Sequence, residues 1–341
     1  MQRPDFRART RKMRAILRRE GLDAFLMSGL NDIYYYTGFN LRDDAGFLVA
    51  SRSGKPRLFL SPLMNEAENL RTAKVVFATN PKPLFDYLSG FDSMGFDENT
   101  LSAGSYLKLK RVKTKWKPAA RMIKEPRMIK DGYEVGQIKR AVNVVGKVLE
   151  RISIMGKTEF GLAREIENLM LSMGAHPSFP TIVASGKNSA YVHYTPKNRP
   201  LGRPAIIDLG ARVNGYCSDI TRSVYSRASK RQKGVYEDVK MIQEEIIENA
   251  RDGSLFSELQ KVYESCKKKK GYRIIHSFGH GVGLSVHERP GRGDVLKRGM
   301  VITVEPAVYL RGFGGMRIED MILVRKGRPE ILTKGVKLKQ T

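Results

Sequence analysis

Cysteine is nearly absent: the 341 residues include two, Cys217 and Cys266. Two thiols build neither a disulfide framework nor a cysteine-based zinc finger, and their scarcity points to a reducing compartment. Long apolar runs are missing too, none reaching the ~18 uncharged residues of a membrane span. The first twenty residues carry eight Lys or Arg and lack the apolar core of a signal peptide, so the sequence predicts a cytoplasmic protein with no membrane attachment. Acid is the third shortage: 35 Asp plus Glu face 61 Lys plus Arg, for a net charge of +26. That excess favours weak, non-specific attraction to polyanions, and a solvated basic surface accounts for it equally.

What remains is globular in composition, with 41% hydrophobic and 28% charged residues. The length allows two domains. Phe6, Met13, Ile16 and Leu17 fall on one face of an amphipathic helix that Gly21 stops. Short apolar segments at Ala24–Met27, Gly46–Ala50, Arg57–Leu60 and Lys74–Ala78 alternate with turn residues, which predicts an α/β domain over residues 1–118. Residues 105–130 hold ten Lys or Arg and one acid, Glu125, with Pro118 and Pro126 among them. That mixture predicts a basic linker over 119–130.

From 131 to 341 the chain predicts an α+β unit with a coarse internal repeat. Helices at Gly132–Ile152 (capped by Asp131 with Glu134) and Glu159–Met173 (capped by Thr158) precede two strands. Helices at Lys230–Ala250 and Glu258–Lys270 (capped by Ser257) precede two more. Each strand pair carries two acids: Asp208 and Asp219 in the first, Glu305 and Glu319 in the second. An acid inside an apolar strand is costly to bury unless something pairs with it. One such residue is unremarkable; four at matching places are not.

Five histidines complete the inventory: His176, His193, His276, His280 and His287. His176 precedes Pro177 in an expected loop and needs no special role. Three others lie in IHSFGHGVGLSVHERP, where Gly279, Gly281 and Gly283 permit close backbone approach. Four carboxylates with one imidazole form a hard donor set suited to two divalent ions, with Mn, Co, Fe or Zn all chemically reasonable.

Asp208, Asp219, His280, Glu305 and Glu319 resemble the ordered ligand set of the pita-bread metallopeptidases, the family of prolidases, Xaa-Pro aminopeptidases and methionine aminopeptidases. The phrases IDLGARVNGYCSDITR, HSFGHGVGLSVHERP, VITVEPAVY and RIEDMILV match it, as do VASGKNSAYVHYTPKN and EPRMIKDGYEVGQIKRA. GLDAFLMSGLNDIYYYTGF is similar to the creatinase-type N-terminal domain. The resemblance implies a pita-bread catalytic fold with pseudo-two-fold halves behind a smaller α/β domain. It implies two metals per subunit, Asp208 on one, His280 and Glu305 on the other, Asp219 and Glu319 shared, with a hydroxide between the ions attacking the scissile carbonyl. Glu305 is then the proton shuttle, and His193 and His287 touch substrate and the tetrahedral intermediate. Arg317 is expected to orient the Asp219 carboxylate.

Within the family, length and HERPGRG favour a prolidase acting on Xaa-Pro dipeptides. A Xaa-Pro aminopeptidase taking longer peptides is the alternative, and a non-enzymatic binding protein a distant third. Prolidases clamp the dipeptide carboxylate with a loop arginine, for which Arg292 is the candidate and Arg289 the next. The resemblance also implies a homodimer.

Overall fold

A computed structural model describes residues 3–41, 46–226 and 228–338. The chain divides into two compact units between Arg127 and Met128. The first begins with α1 (Phe6–Arg19), where Asp5 Oδ1 accepts the Ala8 N–H at 2.8 Å and Met13, Ile16 and Leu17 are buried. Gly21 follows with φ 67°, a left-handed conformation that terminates the helix at little cost only for glycine.

The strands are β1 (Ala24–Met27), β2 (Gly46–Ser51), β3 (Arg57–Leu60), β4 (Lys74–Phe77), β5 (Ser93–Phe96) and β6 (Lys115–Pro118). They form one mixed sheet in the order β4-β3-β2-β1-β5-β6. Helices α2 (Leu30–Thr37), α3 (Lys82–Leu88), α4 (Ala103–Leu109) and α5 (Ala120–Met128) complete the unit's α/β pattern.

The expected linker over 119–130 is instead mostly helix, because its cations find acids and its carbonyls find donors. Arg127 pairs with the buried Asp32 at 2.7 Å and Lys124 with Asp97 at 2.9 Å. The Tyr35 and Tyr36 hydroxyls donate to the carbonyls of Pro126 and Ile123. The outer bounds of the two expected domains, residues 1 and 341, lie outside the described residues.

The second unit repeats one plan. Its first half has α6 (Gly132–Arg151), closed by the Asp131/Glu134 capping box, and α7 (Glu159–Ser172), capped by Thr158. The strands of this half are β7 (His176–Pro177), β8 (Ile182–Ser185), β9 (Ala205–Leu209), β10 (Ala211–Val213), β11 (Tyr216–Cys217) and β12 (Ile220–Val224). The second half has α8 (Lys230–Asn249) and α9 (Phe256–Lys269), then β13 (Val301–Val304), β14 (Ala307–Leu310), β15 (Gly314–Arg317), β16 (Asp320–Leu323) and β17 (Glu330–Ile331).

In each half an outer antiparallel pair, β9 with β12 or β13 with β16, encloses an inner hairpin, β10–β11 or β14–β15. Asp219, Glu305 and Glu319 sit where outer strand meets inner hairpin, and Asp208 one residue inside β9. The halves are stitched at this level. Glu319 N–H donates to Thr221 O at 3.1 Å, and Arg317 N–H to Ser223 Oγ at 3.0 Å.

One expectation for α9 fails, and one of its lysines is buried. Ser257 lies inside the helix; the first-turn donor at Leu255 is met by Glu258 Oε2, while Phe256 packs into the core. Lys267 is not a surface cation: it is fully buried, one helical turn from Tyr263 on the core-facing side. Its ammonium donates to Ala307 O at 2.7 Å and to the Tyr263 hydroxyl at 3.3 Å.

Burial pushes the Lys267 pKa down to about 8 from its ordinary 10.5. Between those values the unfolded chain binds more protons, so this residue adds stability as pH rises through the window. The melting temperature of the native protein minus that of Lys267→Met should therefore grow by several degrees from about pH 7.5 to about pH 10. Taking the difference cancels the buried tyrosines, and a difference that stays flat with pH would refute the assignment.

Candidate metal centre

The five expected ligands line one cavity of about 580 Å³ in the second unit. Asp208 and Thr221 face each other across β9 and β12, and the breaks between outer strands and inner hairpins, before β12, after β13 and before β16, carry Asp219, Glu305 and Glu319. Oxygens of Asp219 and Glu319 and an imidazole nitrogen of His280 lie within 4.8 Å of one another.

His280 is delivered by the glycine-rich segment. A Cβ on Gly279 would meet Thr303 O of β13 at 2.1 Å, and one on Gly281 the Arg289 carbonyl carbon at 2.4 Å. Thr303 N–H donates to His280 O at 2.8 Å, which fixes the imidazole's origin. His280 Nδ1 lies 3.2 Å from Gly281 O, which favours the proton on that nitrogen. Nε2 then presents its lone pair near Asp219 Oδ2 (3.6 Å) and Glu305 Oε1 (3.5 Å). Burial, with the His287 ring 4.1 Å away between centroids, pushes His280 down to about 4, so it is neutral, the form that binds a metal.

The carboxyls are displaced the other way. Burial raises Asp208, and burial with repulsion from neighbouring carboxylates (Glu319 on Asp219, Glu305 and Asp208 on Glu319) raises Asp219 and Glu319 well above the ordinary range. Burial pushes Glu305 up to about 7. The only guanidinium lining this cavity among the described residues belongs to Arg317, and it cannot neutralise four carboxylates. Asp208 Oδ1 is buried with no hydrogen-bond partner. An orphaned carboxylate oxygen, surplus negative charge and a neutral imidazole are what divalent cations satisfy, so these residues fit such ions.

Arg317 differs from expectation. It bonds Asp208 Oδ2 at 2.5 Å, not Asp219, and also donates to Thr221 Oγ1 (3.0 Å) and the Tyr309 hydroxyl (2.7 Å). Its backbone, anchored on Ser223 of β12, aims the side chain across Thr221 toward the neighbouring strand, where Asp208 stands.

His193 and His287 line the cavity, and burial, with repulsion from His193, lowers the His287 pKa. Arg292 does not line it: it is exposed, in the turn after Pro290. Arg289 is held by an ion pair with Asp294, which fixes that turn. His176 is exposed in β7, outside the cavity.

Three participants went unassigned in the sequence. His276 lines the cavity, 3.9 Å from Glu305 and 3.2 Å from the Tyr309 hydroxyl. Burial lowers its pKa to about 4 and raises that of Tyr309 to about 12. The Thr221 hydroxyl donates to Glu319 at 2.8 Å. The available signals were spacings: His276 is four before His280, Tyr309 four after Glu305, Thr221 two after Asp219.

Known proteins bear directly on this arrangement. Residues 136–326 match the profile of metallopeptidase family M24, and residues 9–129 that of the creatinase/prolidase N-terminal domain. An Xaa-Pro dipeptidase of Pyrococcus furiosus is 33% identical over 346 residues, covering 96% of this chain and 97% of that protein. The crystal structure of the prolidase from Pyrococcus horikoshii superposes with a TM-score of 0.89 at 31% identity, covering 98% of this chain and 99% of that one. An X-Pro aminopeptidase from Thermotoga maritima gives 0.86 at 28%, covering 97% and 98%. The chain thus belongs to metallopeptidase family M24 and carries a creatinase/prolidase N-terminal domain ahead of its pita-bread catalytic domain.

Proposed function

We propose that this protein is a prolidase, hydrolysing the peptide bond before proline in Xaa-Pro dipeptides. The observation that carries the proposal is the convergence of Asp208, Asp219, His280, Glu305 and Glu319 on one cavity. The near full-length similarity to Xaa-Pro dipeptidases supports the substrate class. The cavity suits a dipeptide in size, and Phe179, Pro180, Val192 and Val286 give it an apolar wall for a proline ring.

In this reading Asp208, Asp219, His280, Glu305 and Glu319 hold two divalent ions, Mn, Co, Zn or Fe. Such ions supply Lewis acidity toward a carbonyl oxygen and make a water more acidic. Glu305, with a carboxyl that burial poises near neutrality, accepts a proton and returns it to the leaving nitrogen. His193 and His287 hydrogen-bond substrate and the developing oxyanion. Arg317 favours the ionised form of Asp208 against burial and holds the side chain in place. A homodimer belongs to the proposal through the family resemblance. Cytoplasmic action is supported by two free cysteines, one of them buried.

One observation favours the aminopeptidase reading. Among the described residues, Arg317 is the only Arg or Lys lining the cavity, and it is fully engaged. A carboxylate clamp would then require Arg292 to swing inward on substrate binding.

Chelation should abolish hydrolysis of Met-Pro, and Mn²⁺ or Co²⁺ should restore it. Asp219→Ala and Glu319→Ala should each lose bound metal by elemental analysis. Undiminished turnover after exhaustive metal removal would refute the metallopeptidase mechanism.

Comparing Met-Pro with a Met-Pro-Yaa tripeptide decides between the two substrate readings. A bidentate arginine–carboxylate pair selects the free carboxylate next to the scissile bond. Dipeptides should be cleaved at least tenfold faster, and Arg292→Ala should raise KM for dipeptides with metal content unchanged. Equal rates on the tripeptide would assign the protein to the aminopeptidases.

A further inference from the structure

Three segments concentrate the positive charge: the N-terminus, residues 105–130 and Lys267–Lys270. The structure treats them differently. In the second, Lys117, Lys124 and Arg127 are paired with Glu20, Asp97 and Asp32. In the third, Lys267 is buried and Lys270 is paired with Asp238. In the N-terminal segment Arg9 is buried on the Tyr35 carbonyl and Arg19 pairs with Glu20 and Glu125, while three further arginines face solvent. Arg3, Arg7 and Arg11 are exposed and form no ion pair among the described residues; Arg7 and Arg11 stand one turn apart on α1, and Arg3 precedes its cap, Asp5.

These arginines form one wall of a cleft of about 1010 Å³ within the first unit. Lys55, from the β2–β3 turn, and Arg71 form the other; both are exposed and have no ion pair among the described residues. Arg14 braces the two walls by donating to the carbonyls of Gly54 and Ser51. The only acid lining the cleft among the described residues is Asp5, whose Oδ1 caps α1. A neighbouring cleft of similar size mixes Arg52, Arg57 and Lys74 with Asp23, Asp86 and Asp92, so single-sign lining is not general to this surface.

We propose that this cleft is a docking groove for the phosphodiester backbone of single-stranded nucleic acid, bound without regard to sequence. A row of arginines along the first turns of α1 and the residues before it, opposite further cations, tracks a chain bearing one charge per nucleotide. Phe6 is the one aromatic side chain lining the groove among the described residues, half-buried with the Arg9 guanidinium over its ring, and no side-chain amide lines it to read base edges, so sequence independence follows. A bilayer fits less well. The groove is concave, and the apolar face of α1 (Met13, Ile16, Leu17) is buried in the core, so the helix has no face to insert.

The test uses the full chain and a fluorescent 30-nucleotide oligo(dT), followed by anisotropy over a salt series. Two variants remove the same charge. One carries Arg7→Ser, Arg11→Ser, Lys55→Ser and Arg71→Ser. The other carries Lys108→Ser, Lys113→Ser, Lys268→Ser and Lys269→Ser, all exposed positions outside the groove. The groove variant should bind at least tenfold more weakly at low salt. Its slope of log K against log salt should be shallower by about 3, the value for four lost phosphate contacts on a single strand. The control should bind nearly as the native protein does, and both should retain full Met-Pro hydrolysis. Equal weakening in the two variants would overturn the groove in favour of diffuse charge. Binding to phosphatidylserine vesicles with none to the oligonucleotide would overturn it in favour of a membrane.

Discussion

Four carboxyl groups share one buried space with a single guanidinium, and the second unit is organised around that imbalance. In the protein alone, burial drives the carboxyls toward protonation, with Glu319 raising Asp219 further and Glu305 and Asp208 raising Glu319. Arg317 lowers all four but of them bonds only Asp208, and one oxygen of that carboxylate still lacks a partner. Divalent charge resolves the conflict, since it replaces several protons at once and accepts the spare oxygens as ligands.

The duplicated fold is what makes such a gathering possible. Each half offers two acids at or beside the point where an outer strand pair meets an inner hairpin, and a backbone bond from Glu319 to Thr221, with the Ser223 hydroxyl bonded to the Arg317 backbone, brings the halves together. The glycine segment brings His280 against β13 so closely that side chains at 279 and 281 have no room. Rigid strands and crowded backbone thus set the ligands, while the walls that receive substrate come from less regular segments such as that around His193.

Much of this was legible in the residues. Asp208 and Glu305 stand out as acids in apolar runs, and helix starts at Asp131 and Thr158 were marked by local capping chemistry. What stayed hidden depends on contacts between distant parts of the chain. The partner of Arg317 follows from register across the two halves, Lys267 is buried by its phase relative to Tyr263, and the basic stretch near 120 is a helix because Asp32 and Asp97 receive its cations. Arg292, placed by analogy within a phrase, lies exposed in a turn that the Arg289–Asp294 pair holds, a position the phrase did not convey.

The central claim is that the cluster holds protons only for want of divalent cations. Titrating metal-free protein with Mn²⁺ near pH 7 in two buffers of different ionisation enthalpy measures the protons released directly. The account predicts two ions bound per chain, net proton release, and a melting temperature that rises with metal concentration. Binding without proton release, or no change in melting temperature at saturating metal, would contradict it.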